Sequence, residues 1–357
     1  MSTSETRSQS GSISVFGLGT SELRPIIETA VGEPVASFDI SIENQVEGDY
    51  GFAAEKLIPT FSYVTPEGSR GRVTIFAKHS HNPNSPEPEH YRFLGLHGVP
   101  LPRLYGVLRS PKDRPILFLE YLDMSEATRA TLPPEVHLEF LSLMARFNAV
   151  HPSLEYAAWL EELLQREREE GGELGEVVAV VWEHACRSDL GEALKQFCSE
   201  DMERRARLRV LADRVAAQVA DMETGLVSGD FSFENTGRRQ SGERVLFDVE
   251  GIGLGARFTD AAGLVGRPDD RWPPEPYPPP ETLAAHYLRE YSRWGGTSPP
   301  LDQFLAEARV LWLHYQIGSM GFGVSLICSD STAFDGFRAG SRAALLQILR
   351  MLLDRYC

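Results

Sequence analysis

Residues 226–264 read LVSGDFSFENTGRRQSGERVLFDVEGIGLGARFTDAAGL, and the order of their acids decides how the rest of the chain is read. Gly229-Asp230 ends an apolar run at a bend, where a carboxylate can be presented to solvent. Asn235 stands five residues on, at the far end of the same loop. The turn residues at 237–242 lead into Val245-Leu246-Phe247, a short apolar strand that delivers Asp248 at its end. A loop carrying Asp and Asn opposite a strand that ends in Asp gathers three oxygen-bearing side chains. Magnesium wants such hard ligands, together with waters and substrate phosphates. A carboxylate such as Asp230 also suits the hydroxyl that accepts a phosphoryl group. Each acid taken singly reads as well as a turn residue or a helix cap. The chemistry lies in their joint order and spacing.

Working outward, the two parts of the chain differ in pattern. The first third reads as strands between turns: an alternating stretch at 35–42, KLIPTFSYV at 56–64 with Pro59 as an interruption, RVTIFAK at 72–78 and ILFLEY at 116–121. Between them, residues 87–96 have helical spacing, and Pro88 suits the first turn. After residue 123 the patterns lengthen into helices: LEFLSLMARFNAVH, AAWLEELLQREREE, a stretch at 177–197 and another at 202–222. In LMARFNAVH, His151 reads as a core or capping residue. RPDDRWPPEPYPPPE at 267–281 reads as an extended surface loop. The domain reading is a tail at 1–12, a strand-rich lobe at 13–120, a hinge at 121–124 and a helix-rich lobe at 125–357.

The pattern D-x-x-x-x-N, then an apolar strand and D, resembles the catalytic loop and metal-binding segment of kinase-fold phosphotransferases. Asp248-Val249-Glu250 followed by GIGLGARFTD is similar to the DxE…G…DLA stretch of the aminoglycoside and choline-type kinases. Protein kinases carry DFG and APE instead, and neither is present. The resemblance implies an α+β fold of the bilobal protein-kinase type, with an antiparallel sheet in the first lobe and a mainly helical second lobe. It implies Asp230 as catalytic base, Asn235 and Asp248 as ligands of Mg2+, and Asp260 as a structural brace of the loop. One position departs from the pattern. The family usually has histidine two residues before the base, and here Ser228 stands there.

Such a kinase needs a strand lysine to grip the nucleotide phosphates and a helix glutamate to orient it. The lysines are Lys56, Lys78, Lys112 and Lys195, and Lys78 closes the RVTIFAK strand. EPEHYRFLGLHGVPLPRLYG is similar to the family's helix and the connection after it, with Glu87 as partner and Glu89 in reserve. Gly48 and Gly51 read as a phosphate-covering loop or as a plain hairpin, since glycine lets backbone approach phosphates closely. Glu120, Tyr121 and Leu122 fall at the hinge, where backbone would hold the base of ATP or GTP.

The remaining features set bounds. A formal charge of -16 repels phosphate backbones, which argues against nucleic acid and favours a cationic substrate or plain solubility. Acids at Glu155, Glu161, Glu162, Glu167, Glu169 and Glu170 read as a solvated face as readily as a substrate site. No uninterrupted apolar run reaches the length of a membrane span, and the polar start lacks a secretory pattern. Four dispersed cysteines without CxxC spacing read as reduced thiols, and the location expected is cytoplasmic. Gly17-Leu18-Gly19 before a helix imitates a dinucleotide fingerprint, but position 22 is Glu22 rather than the third glycine. The acceptor classes that fit are an aminoglycoside or other antibiotic, a sugar, an amino alcohol or another metabolite. The opposing class is a silent nucleotide-binding scaffold.

Overall fold

The computed structural model describes residues 14–45, 54–125, 132–170, 174–187, 190–199, 202–274, 276–329 and 335–357. By internal contact the chain divides into two compact units. The first comprises Met1–Thr128 with Glu234–Glu250, and the second Arg129–Phe233 with Gly251–Cys357. The linear reading at 121–124 has no counterpart for the return of Glu234–Glu250 to the first unit.

The first unit opens with helix α1 (Thr20–Val31) and strands β1 (Ser37–Gln45), β2 (Ala54–Val64) and β3 (Arg70–Ser80). Helix α2 (Glu87–Leu96) and strands β4 (Leu104–Arg109) and β5 (Pro115–Glu120) follow. The sheet runs β1-β2-β3-β5-β4, with every neighbouring pair antiparallel. In β3 the alternation of a strand sorts the side chains. Val73, Ile75 and Ala77 join a core with Phe61, Phe118 and Leu23 and Ile27 of α1. Lys78, one residue on, therefore belongs to the opposite face, away from α1. Gly106 on β4 has no side chain because a Cβ there would meet Ile26 Cδ1 at 2.4 Å. Pro59 does not interrupt β2. It pairs with Ile42, and β1 has an irregularity between Ile42 and Asn44 at that point, which suits a residue without an N–H. The glycine pair near the start is a tight turn, with Phe16 and Gly17 at φ 53 and 82, closed by a Val15–Leu18 bridge. Since α1 lies on an antiparallel sheet, no βαβ unit exists there.

The second unit contains α3 (Pro134–Asn148), α4 (Leu154–Glu170), α5 (Leu174–Cys186), α6 (Glu192–Ser199) and α7 (Met202–Ala220), then β6 (Thr224–Val227). Strands β7 (Thr236–Arg238) and β8 (Arg244–Leu246) form a hairpin of the first unit. The chain returns to the second unit with β9 (Gly253–Ala256), antiparallel to β6, followed by α8 (Thr259–Val265), α9 (Pro280–Arg293), α10 (Leu301–Cys328) and α11 (Asp335–Tyr356). Its core gathers Trp182, Phe258, Tyr287 and Phe304, with Phe304 packed edge-on to Phe258 at 4.8 Å. The stretch at 177–197 is broken into α5 and α6, and Gly191 at φ 100 sets the new start. The proline-rich loop is less extended than its composition implies. It contains a 3-10 turn at Asp269–Arg271, and Trp272 donates from Nε1 to the Pro278 carbonyl at 3.1 Å. Helix α10 is long and apolar enough to cross a membrane by length and composition. Phe304, Leu311, Trp312, Ile317 and Met320 of α10 instead lie in the core, as expected of a helix apolar on several faces.

Candidate active site

In the first unit, Lys78 is almost fully buried, and its ammonium is ringed by carboxylates. Nζ lies 2.8 Å from Glu87 Oε2, 2.6 Å from Asp248 Oδ1 and 3.1 Å from Glu250 Oε2. Three elements supply the ring: the end of β3, the first turn of α2, and the chain beyond β8. Burial alone would lower the Lys78 pKa, but Glu87, Asp248 and Glu250 outweigh it and raise the value above the ordinary one. Burial pushes the Glu87 carboxyl up to about 7, against the pull of Lys78. Glu89, two residues on, is exposed and pairs with Arg92. Lys78 is therefore paired with Glu87, and its charge is held at one place.

Asn235 and Asp248 flank the β7–β8 hairpin. Phe247 N–H donates to the Asn235 carbonyl at 2.9 Å, one step beyond the Thr236–Leu246 pair. Asp248 has φ 57, a left-handed conformation that Asp tolerates better than most residues. Val249 between them is fully buried, while Asp248 and Glu250 both turn to the Lys78 ammonium. One oxygen each from Glu87, Asp248 and Glu250 lies within 4.8 Å of the others. Carboxylate oxygens gathered this closely are the hard ligands that a small divalent cation takes. The residues fit Mg2+.

Two of the hinge residues, Glu120 and Leu122, are held by neighbours within the first unit. Glu120 accepts from Arg103 N–H at 3.1 Å and from Arg239 Nε at 3.0 Å, and Arg239 also reaches the Leu101 carbonyl. Leu122 is buried against Gly237 of β7, where a Cβ would come within 3.0 Å of it. Tyr121 is half exposed. Gly48 and Gly51 lie outside the described residues.

In the second unit, Asp230 is exposed on the loop after β6. Gly229 before it has φ 78, and a Cβ there would lie 2.7 Å from the Gly251 carbonyl oxygen. Only glycine fits that turn without strain. The loop is held from beneath by Asp260, in the first turn of α8. Ser228 N–H donates to both Asp260 oxygens, at 3.2 and 3.1 Å. Asn148, the last residue of α3, donates from Nδ2 to Asp260 Oδ2 at 2.7 Å and to the Leu226 carbonyl at 3.0 Å. Tyr287 of α9 donates to Asn148 Oδ1 at 2.9 Å. Burial raises the Asp260 carboxyl to about 6, although the donors from Asn148, Ser228 and Gly229 pull it down. The Ser228 hydroxyl is buried and has no hydrogen-bond partner.

Glu250, Asn148 and Tyr287 were absent from the sequence-based candidates. The D-x-E motif is the signal that could have singled out Glu250, as a second acid close to Asp248. Nothing local marks Asn148 or Tyr287, because their partners lie 112 and 139 residues away. His151, read as a core or capping residue, lies just beyond α3 and is exposed, so it is not in the core. Its buried neighbour Asn148 is the polar group that faces the loop.

No protein-family model and no curated protein matches the chain. Solved structures do match. Plasmodium vivax ethanolamine kinase superposes with a TM-score of 0.56 at 12% identity, covering 89% of this chain and 84% of that one. Spectinomycin phosphotransferase, in complex with ADP and spectinomycin, gives 0.55 at 9% identity over 94% and 97% of the two chains. Amicoumacin kinase, in complex with AMP-PNP, Ca2+ and Ami, gives 0.50 at 14% over 89% and 88%. The chain thus has the protein-kinase-like fold shared by these small-molecule kinases.

Proposed function

We propose that this chain is a phosphotransferase that moves the γ-phosphoryl group of ATP or GTP to a hydroxyl of a small molecule. The observation that carries the reading is the buried Lys78 held among Glu87, Asp248 and Glu250, on a fold whose solved examples include kinases bound to nucleotides. A structural ion pair needs one carboxylate, not three around a single ammonium. Lys78 binds the phosphates, and Glu87 orients it. Asp248 and Asn235, with Glu250, would hold Mg2+, which when bound neutralises charge on the phosphates. Asp230 orients the acceptor hydroxyl and takes its proton. Asp260, Asn148 and the backbone of Ser228 fix the loop that carries Asp230, a role that does not need the missing histidine.

The acceptor is a small hydroxylated molecule, and the charge of -16 favours a cationic one. Ethanolamine, spectinomycin and related amino alcohols and aminocyclitols set the first panel. A coupled ADP-release assay with Mg-ATP tests the reading, with Asp230→Ala as control. Acceptor-dependent ADP release that the control lacks supports it. Equal release from both proteins refutes the assignment of Asp230.

A further inference from the structure

On the face of the first unit's sheet that packs on α1, two histidines share one carboxylate. His79 of β3 stands opposite Glu55 of β2 in the strand register. Its Nδ1 lies 3.6 Å from Glu55 Oε2, and His81 Nε2 lies 3.8 Å from the other oxygen of the same carboxylate. Both separations are too long for hydrogen bonds. The His79 ring is held from two sides. Nε2 is 3.1 Å from Ser110 Oγ, and Phe16, which packs on the α1 core, lies against the ring at 4.9 Å. Ser110 is itself fixed, since its hydroxyl oxygen accepts from Arg114 N–H at 3.3 Å and its backbone closes the turn between β4 and β5. His79 is buried, yet its Nδ1 makes no hydrogen bond. A buried polar atom that faces a carboxylate without reaching it is costly unless something lies between them. Glu55 and His81 keep 57% and 45% of their side-chain surface, so this group of three opens to solvent.

We propose that Glu55, His79 and His81 form a site for Zn2+, with water completing the shell of the ion. Ligand bonds of about 2.0–2.2 Å around a tetrahedral ion set neighbouring donor atoms about 3.3–3.5 Å apart. The two observed separations lie within a few tenths of an ångström of that spacing. Two imidazoles and one carboxylate suit Zn2+ better than Mg2+, which takes oxygen donors. In the ligating tautomer Nε2–H of His79 donates to Ser110 Oγ, and Nδ1 turns its lone pair to the ion. A ligand histidine is commonly oriented through its other nitrogen in this way. Glu55 and His81, being exposed, close on the ion by rotation of their side chains. The bound ion clasps the start of β2 to the chain that leaves β3. This inference goes beyond the phosphotransferase reading and does not rest on it, because His79 faces α1 and Lys78 faces away.

Titration of the metal-free full chain with Zn2+, followed by isothermal titration calorimetry, tests the site. Wild type should bind Zn2+, and Glu55→Gln and His81→Ala should each weaken that binding about tenfold or more. Both side chains are largely exposed, so neither change threatens folding, which circular dichroism checks. Saturating Zn2+ should raise the melting temperature of wild type more than that of either variant. Co2+ in place of Zn2+ reports the donor atoms. Imidazole and carboxylate ligands give visible bands without the thiolate charge-transfer band that binding at a cysteine would add. A wild type that binds no Zn2+ overturns the proposal and leaves Glu55 as a plain partner of the two histidines. Binding as tight in either folded variant as in wild type also overturns it, as does a thiolate band. The zinc site and the kinase fail separately. Phosphotransfer without Zn2+ binding removes only the site, and Zn2+ binding without phosphotransfer removes only the kinase.

Discussion

Asn148 donates from Nδ2 to Asp260 Oδ2 at 2.7 Å, and this single bond ties the end of α3 to the carboxylate that holds the loop of Asp230. The same amide also holds the Leu226 carbonyl, so β6 and the Asp260 brace beneath the loop share one anchor. Asn148→Leu keeps the volume and removes both donors. Turnover should fall on the order of 10²-fold, the scale of an ångström's misplacement of a reacting group. The KM for nucleotide should stay near the wild-type value, because the Lys78 cluster is untouched. Steady-state kinetics with the acceptor from the ADP-release panel check this split.

The pH dependence of stability gives a second handle on that bond. Burial holds the Asp260 carboxyl at about 6, above its ordinary 3.8. A raised carboxylate contributes stability that is full below its unfolded value and is lost as pH rises through its folded one. The window is therefore about pH 4 to 6. Asn148 pulls the value down, so its loss pushes the carboxyl higher and enlarges the cost of ionising it. The gap in melting temperature between wild type and Asn148→Leu should widen from about pH 5 to about pH 8. A gap that narrows over this range assigns the wrong sign to the interaction.

Gly229→Ala places a Cβ at φ 78 and within 2.7 Å of the Gly251 carbonyl oxygen. Both the backbone and the contact resist it, at about 1–3 kcal/mol for a strained residue of this kind. Chemical denaturation should show that loss. Turnover should fall further than stability alone accounts for, since the strain sits next to Asp230.

Much of this was legible from the chain itself, for physical reasons. The run RVTIFAK reads as a strand from its β-branched and aromatic residues, and the structure places Lys78 near the end of β3. The order Asp230, Asn235, Asp248 is local and survives in one reading frame, and the structure puts Asn235 and Asp248 at one hairpin end. The contacts that make the second unit's loop rigid were not legible. Asn148 and Tyr287 look like ordinary residues of amphipathic helices, and only the packing of α3, α8 and α9 turns them inward. Pro59 misleads in the opposite direction, because a bulge in the partner strand absorbs the missing N–H. His151 lies beyond the end of α3 and is exposed, which removes the core half of its reading, whereas Asn148 on the last turn is buried.

Replacing Glu87 tests the buried half of the Lys78 ring. Glu87→Ala leaves Asp248 and Glu250 to hold the ammonium, so the lysine stays charged but loses its anchor on α2. Breaking a buried pair from one side costs about 3–5 kcal/mol when the remaining charge is left alone, and less here because two partners persist. Thermal melts should therefore show a moderate loss, and nucleotide affinity should fall together with it.

The most direct measurement follows γ-labelled phosphate from ATP into the acceptor, with wild type and Asp230→Asn compared at matched Mg2+. The account predicts labelled acceptor from wild type, and turnover lower by on the order of 10² to 10⁴ in a variant that still binds Mg-ATP. Label transferred equally well by the folded Asp230→Asn protein, or released only as inorganic phosphate by both, would contradict it.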